Sequence, residues 1–242
     1  MNNTMRRIVP LGIRQNIKHS CRQLTNIING TKFDKAKGSL RMQQPICVVQ
    51  PIMPSAFYDN KVINITRGAA LVDKSIIGAN QNWSFWHRVN CPNASNGFVS
   101  GRNLVNGKLV AQTGGGLCQL SSIAYHLALL GGLTIVERHA HSIDIYEDDQ
   151  RFTPLGADAT VVWGFKDLRL HNPHSFAVSL EFRVEKGRLI GEFNAEIEWV
   201  APQIDFVQIP LKRSFVQVNT IVNNRLQETT IYEQKRGLQV IG

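Results

Sequence analysis

The spacing of apolar residues changes along the chain, and the changes divide it. Between residues 11 and 29, Ile13, Ile17, Cys21, Leu24 and Ile28 recur at steps of three and four, with Arg14, Lys18 and Arg22 off that stripe. This is the period of an amphipathic helix. It predicts a surface helix docked on the body by its apolar face; the alternative is a helix lying on an anionic membrane surface. Residues 32–44 are polar and read as a linker. Ile46-Cys47-Val48-Val49 and Lys61-Val62-Ile63-Asn64-Ile65 read as strands, and residues 66–78 as a short helix with Ala70, Leu71 and Ile76 inward. Asn106-Gly107, set between Leu104-Val105 and Leu109-Val110, predicts a tight hairpin. After Gly114-Gly115-Gly116 an apolar, helix-like run extends to Leu130, where Gly131-Gly132 stops it. A strand then starts at Leu133 and runs toward His141, and residues 159–163 and 168–170 read as further strands. From Phe176 the period is two. Phe176, Val178, Leu180, Phe182 and Val184 alternate, a turn follows at Glu185-Lys186-Gly187-Arg188, and Leu189, Phe193, Ala195, Ile197 and Trp199 return. Phe215 to Val222 repeats the pattern, turned by Asn223-Asn224.

The expected fold is α+β: a central helix preceded by a glycine-rich loop and packed on an antiparallel sheet, with a β-rich C-terminal part. Three parts follow: a basic helix and linker at 1–44, the main domain at 45–200, and a β extension at 201–242.

Composition changes this picture little, but charge does. The chain has 242 residues, 43% of them hydrophobic, with a net charge of +9. Nine of the cations lie before Gln44 against Asp34 alone, so the head carries +8 and the rest is nearly neutral. A head of this kind suits an anionic surface. A small-molecule or peptide ligand is the expected partner, joined in the alternative reading of the helix by an anionic membrane surface met through residues 1–44; nucleic acid is not expected. No run approaches the ~20 apolar residues of a membrane span. The N-terminus has no apolar core after its charged start, so no secretory signal is expected. The expected location is the cytoplasm, with peripheral attachment to the inner membrane surface in the alternative reading of the basic head. Cys21, Cys47, Cys91 and Cys118 are then expected to be thiols. Their spacing matches neither a zinc finger nor a redox pair, and no metal or cofactor is expected.

Three short blocks carry a resemblance: Gly114-Gly115-Gly116-Leu117-Cys118-Gln119-Leu120-Ser121, then Arg138-His139-Ala140-His141, then Gly156-Ala157-Asp158-Ala159-Thr160. Trp83-Ser84-Phe85 and Asn106-Gly107-Lys108-Leu109 add to it. Over roughly residues 45–200 the sequence resembles the VanW family, the group named for vancomycin-resistance gene clusters, in its short form without a signal peptide. The resemblance implies a link to peptidoglycan or glycopeptide resistance, and it favours His141 over His139 as the functional histidine.

The blocks also have a chemical reading. A cysteine at a helix start meets partial positive charge and free N–H groups, which favour the thiolate and can hold an oxyanion. The helix out from Cys118 and the strand back to His141 are matched in length, so His141 can return as a base. A turn at Asp148-Asp149-Gln150-Arg151 would set Asp158 opposite His141 in a ladder, to orient the ring. Cys118, His141 and Asp158 are the candidate catalytic residues. Gly114, Gly115, Gly116, Gln119, Ser121 and Arg138 are the candidate substrate-binding ones, with Gln112 and Gln119 both open as oxyanion donors. Each residue also has a structural alternative: a buried thiol, a tight glycine turn, a turn-capping aspartate. His126 reads as a helix-surface residue and Trp83, Phe85 and Trp86 as core. The function expected is cysteine-dependent acyl transfer or amide hydrolysis in cell-wall peptide metabolism. The alternative is a non-catalytic binding module that holds an anionic ligand on the helix N-terminus.

Overall fold

The computed structural model describes residues 9–33, 35–105, 108–144 and 151–234. The Asn106-Gly107 turn, Asp148 to Gln150, and Arg6, Arg7 and Asp34 of the basic head lie outside these residues. The architecture is α+β, built around one buried helix. That helix, α4 (Leu117–Leu130), has ten of its fourteen residues buried, because its sequence is apolar on nearly every side. It lies on an antiparallel sheet ordered β1-β10-β9-β2, where β1 is Ile46–Pro51, β2 Ser75–Ile77, β9 Val178–Glu185 and β10 Arg188–Ala195. The predicted period-two hairpin is β9–β10, with Leu180 opposite Phe193 and the turn at Lys186-Gly187. Leu180, Leu189 and Phe193 are fully buried beneath α4. Gly191 permits the close approach: a Cβ there would lie 2.5 Å from Ile123 and 2.8 Å from Leu127.

Two earlier segments depart from expectation. Lys61 to Ile65 is not a strand; it lies inside α2 (Tyr58–Val72), which buries Asn64, Ile65, Gly68, Ala69 and Val72. Those positions are spaced by one, three and four, a helical set that the β-branched Val62, Ile63 and Ile65 obscured. Ala70 is exposed, and Ile76 belongs to β2, not to a helix. Trp83 and Phe85 are fully buried core residues, on β3 (Asn82–Ser84) and the short α3 (Phe85–Val89). The expected hairpin is present as β4 (Ser100–Val105) and β5 (Lys108–Thr113), paired Leu104 to Leu109. The return from α4 is shorter than expected. β6 (Thr134–Glu137) ends four residues before His141 and pairs with β8 (Arg169–His171). Residues 159–163 form no strand; Val162 makes an isolated bridge to Lys166.

The C-terminal part is a second sheet, ordered β11-β12-β13-β7, from β7 (Ile143–Asp144), β11 (Ile204–Pro210), β12 (Phe215–Val222) and β13 (Arg225–Gln234). Asn223 and Asn224 both take positive φ, 48° and 62°, as a primed two-residue hairpin turn requires. The last strand, β13, runs parallel to β7, with Glu233 beside Ile143. That pairing brings β13 next to the segment that follows His141.

The N-terminal helix α1 (Leu11–Ile28) forms as its period predicts, but it docks the other way round. His19 stacks on Trp163 with ring centroids 4.1 Å apart, and Asn26 accepts a hydrogen bond from Arg169 at 3.0 Å. Arg22 pairs with Glu137. These contacts come from the polar side, while Ile13, Ile17, Leu24 and Ile28 remain exposed. Docking by the apolar face is therefore incorrect. The body offers a polar, aromatic seat there, and the Arg22–Glu137 ion pair, the Arg169 hydrogen bond to Asn26 and the His19–Trp163 stack fix the helix by its polar side.

Candidate functional site

Cys118 is the second residue of α4. The helix begins at Gly116, whose φ of 100° places it in the left-handed region, and no side chain caps the helix start. Gly114 also has positive φ, at 84°. The loop turns tightly here, and its Gly115 carbonyl accepts a hydrogen bond from buried Asn64 at 3.0 Å. The glycine carbonyls tighten the first turn of α4, accepting from Leu117 N–H (Gly114, 3.4 Å) and Gln119 N–H (Gly116, 3.0 Å), and so set the positive end of the helix beside Cys118.

The three candidate catalytic residues come together. The His141 ring lies beside the Cys118 thiol and draws its pKa down by hydrogen bonding and charge. Its Nδ1 lies 2.7 Å from Asp158 Oδ2, and its backbone N–H donates to the same oxygen at 2.7 Å. With Nδ1 engaged, Nε2 is the ring nitrogen left to meet the sulfur. Cys118 Sγ also lies 3.4 Å from the Thr160 hydroxyl and 3.7 Å from the Val161 carbonyl oxygen. Cys118 is partly buried, and the His141 and Asp158 side chains are 31% and 23% exposed, so the cluster borders solvent.

The route differs from the expected ladder. Residues 138–142 and 154–160 form no paired strands; Thr160 N–H donates to the His139 carbonyl at 2.7 Å, and a turn from Pro154 to Ala157 brings Asp158 up. His139 turns elsewhere, to Glu137 at 3.0 Å.

The charges fit a thiolate–imidazolium pair. Burial pushes the Cys118 thiol up. The His141 hydrogen bond and charge, the Thr160 hydroxyl and a backbone hydrogen bond at Val161 outweigh it, leaving the thiol below its ordinary 9.0. Burial pushes His141 down, but its bonds to Asp158 and Cys118 prevail and lift it to about 10. For Asp158, the same His141 contacts and the Arg138 charge overcome burial and hold the carboxyl well below the usual range. Cys47 and Cys91 show the contrast: burial pushes both thiols up, and neither the Arg183 charge near Cys47 nor the Asn93 hydrogen bond at Cys91 reverses it.

The remaining candidates sit around this core. Arg138 is 1% exposed, and its guanidinium is spent inside the protein. It donates to the Asp158 carbonyl at 2.8 Å, Asp158 Oδ1 at 3.0 Å, Glu228 at 3.0 Å and Thr230 at 2.8 Å. Gln119 donates to the Pro51 carbonyl at 2.8 Å, tying the helix start to β1, and buried Ser121 donates to the Ala159 carbonyl at 2.7 Å. Their side chains join loop to helix. His126, expected at the surface, is half-buried edge-on to Phe206, and burial lowers it to about 4. Among the described residues no three His, Cys, Asp or Glu side chains group to hold a metal ion.

Sequence reasoning missed four participants. Tyr232 of β13 donates to Asp158 Oδ1 at 2.5 Å, while Glu228 and Thr230 of the same strand hold Arg138. Nothing local marks them, because their partner lies over 70 residues away in sequence. Thr160 carried a signal, since it stands two residues after Asp158 in the third block.

Comparison with known proteins bears on these same segments. Over 140 residues the chain is 27% identical to the vancomycin B-type resistance protein VanW of Enterococcus faecalis (strain ATCC 700802 / V583), covering 58% of this chain and 51% of that one. Over 127 residues it is 31% identical to the uncharacterized protein YoaR of Bacillus subtilis (strain 168), covering 52% and 40%. The chain therefore spans about half the length, or less, of these curated relatives. No solved structure matches. The family model of VanW-like proteins matches residues 60–194, a stretch that contains Cys118, His141 and Asp158. That match covers more than half of the sequence, and the chain belongs to the VanW-like protein family.

Proposed function

We propose that this protein is a cysteine-dependent enzyme of acyl transfer or amide hydrolysis, acting on a cell-wall peptide or a related glycopeptide-resistance substrate. The observation that carries the proposal is the grouping of Cys118, His141 and Asp158, with the sulfur at the start of a helix. The name of the Enterococcus relative supports the cell-wall context.

In the proposed reaction the Cys118 thiolate attacks a substrate carbonyl carbon. The negative charge that develops on its oxygen is stabilised by the positive end of α4. As the C–N bond breaks, Nε2 of the His141 imidazolium gives its proton to the departing amine. The thioester left on Sγ is then attacked by water or by an acceptor amine, whose proton returns to His141, and the thiolate is released. Asp158 holds the ring by Nδ1, and Arg138 and Tyr232 hold Asp158.

The test is acyl capture. Peptides ending in D-amino acids, supplied as activated thioesters, should leave a hydroxylamine-sensitive mass adduct on Cys118, and Cys118→Ser should abolish turnover. If no adduct forms and Cys118→Ser binds the same peptides as tightly as the wild type, the site is a binding module.

A further inference from the structure

The outward face of α1 is the feature that the thiol chemistry leaves unused. Ile13, Ile17, Leu24, Ile27 and Ile28 are 52% to 82% exposed, along a helix about 27 Å long at 1.5 Å per residue. At 100° per residue Ile13, Ile17, Leu24, Ile27 and Ile28 fall on one side, and Arg22, Asn26 and His19 on the opposite one. The opposite side is the docked one. A free amphipathic helix would turn its apolar stripe inward, and here the fold fixes it outward by specific polar contacts. Besides His19 on Trp163 and Arg22 on Glu137, the bare Gly164 lets the α1 backbone approach, since a Cβ there would lie 2.3 Å from the Gln15 carbonyl oxygen.

We infer that α1 seats this chain on an anionic lipid surface, with the isoleucine–leucine stripe in the interface and the basic residues beside it against headgroups. Charge complementarity selects this occupant. Residues 1–33 contain no carboxylate, and exposed Lys18 lies on the flank of the helix between the stripe and the docked side. A second copy docked by the same stripe would set these cations against their own images with no anion between them. An acidic protein partner is disfavoured, because the stripe is purely aliphatic and offers no aromatic anchor of the kind that dominates protein interfaces. Aliphatic side chains flanked by cations are what an interfacial helix needs.

The seat also orients the site. Glu137, which holds Arg22, directly precedes Arg138, and Trp163 follows Val161, whose carbonyl faces Cys118, by two residues. The helix on the lipid is thus clamped to the two segments that build the thiol pocket. The inference does not rest on the thiol being catalytic.

The test is cosedimentation of the full chain with vesicles. Binding to phosphatidylcholine vesicles containing phosphatidylglycerol should be strong at low salt and fall as salt rises, and binding to phosphatidylcholine alone should be at least ~10-fold weaker. Ile17→Asp with Leu24→Asp should cut binding more than ~10-fold, and Lys18→Glu severalfold. Thermal melting and Cys118 alkylation should stay at wild-type values. Should the double variant not fold, Ile28→Asp, at the most exposed position of the stripe, replaces it. Absence of wild-type binding, or full binding by the charge-bearing variants, overturns the inference. So does a wild-type dimer in gel filtration that the variants dissolve, which would give the stripe to a second copy.

Discussion

Helices α4 and α1 are both amphipathic or apolar by sequence, and the fold uses them in opposite ways. Helix α4 has ten of fourteen residues buried; α1 buries Asn26 alone of its eighteen. In α4 the apolar residues drive the packing, and the one chemically loaded turn is its partly buried start. In α1 the polar residues make the attachment, and the apolar ones are left over. An apolar stripe therefore shows where a helix wants cover, but not whether its own chain supplies it. That depends on what the facing surface offers: leucines and a bare glycine under α4, a carboxylate and an indole under α1.

The comparison is tested most severely at the start of α4. Removing the base by His141→Ala should leave burial opposed only by the Thr160 hydroxyl and the Val161 hydrogen bond, so the Cys118 pKa should rise. Alkylation at neutral pH should slow by about 10–100-fold, followed peptide by peptide so that Cys21, Cys47 and Cys91 serve as internal references. An unchanged rate would sink the thiolate pair.

Next comes packing. Leu127→Ala, at a fully buried position of α4, should cost about 2–5 kcal/mol in urea unfolding. Leu24→Ala on α1 should stay within about 0.5 kcal/mol. A large loss at Leu24 would mean that its stripe is covered after all.

Acid unfolding sharpens the site further. The folded Asp158 pKa is depressed, so its contribution is complete above its ordinary 3.8 and is lost as pH falls through the lower folded value. His141 works in the other direction. Its folded pKa is raised, so its contribution is complete below 6.5 and disappears as pH climbs through about 10. Asp158→Asn should therefore flatten the acid limb of the stability profile below pH ~4 and lower the alkaline limb. A profile that matches the wild type at both ends would remove Asp158 from the pair.

The smallest effect is expected at Tyr232→Phe. It deletes one hydrogen bond to Asp158 and should cost about 0.5–1.5 kcal/mol. As a positioning residue it should also shift the alkylation pH profile of Cys118 slightly, which a purely structural tyrosine would not do.

Much of this molecule was open to reading along the chain. The glycine stop at 114–116, the apolar run to Leu130 and the alternation from Phe176 rest on local periodicity and turn chemistry, which act over a few residues. They placed α4, the β9–β10 hairpin and the Asn223-Asn224 turn. The Cys118–His141–Asp158 grouping was reached as well, although by a ladder that does not exist: the lengths of the legs limited where His141 could return, whichever backbone form it took. Tertiary structure alone decided the rest. Tyr232, Glu228 and Thr230 enter the site because β13 pairs with β7 from across the chain, and no local pattern encodes a strand partner that far away. The Lys61–Ile65 segment became helix because α4 and the glycine loop need Asn64 and Gly68 beneath them, overriding β-branched propensity. The orientation of α1 was likewise beyond the sequence. Hydrophobic periodicity fixes an axis through a helix, but which side meets the body is set by the surface it lands on.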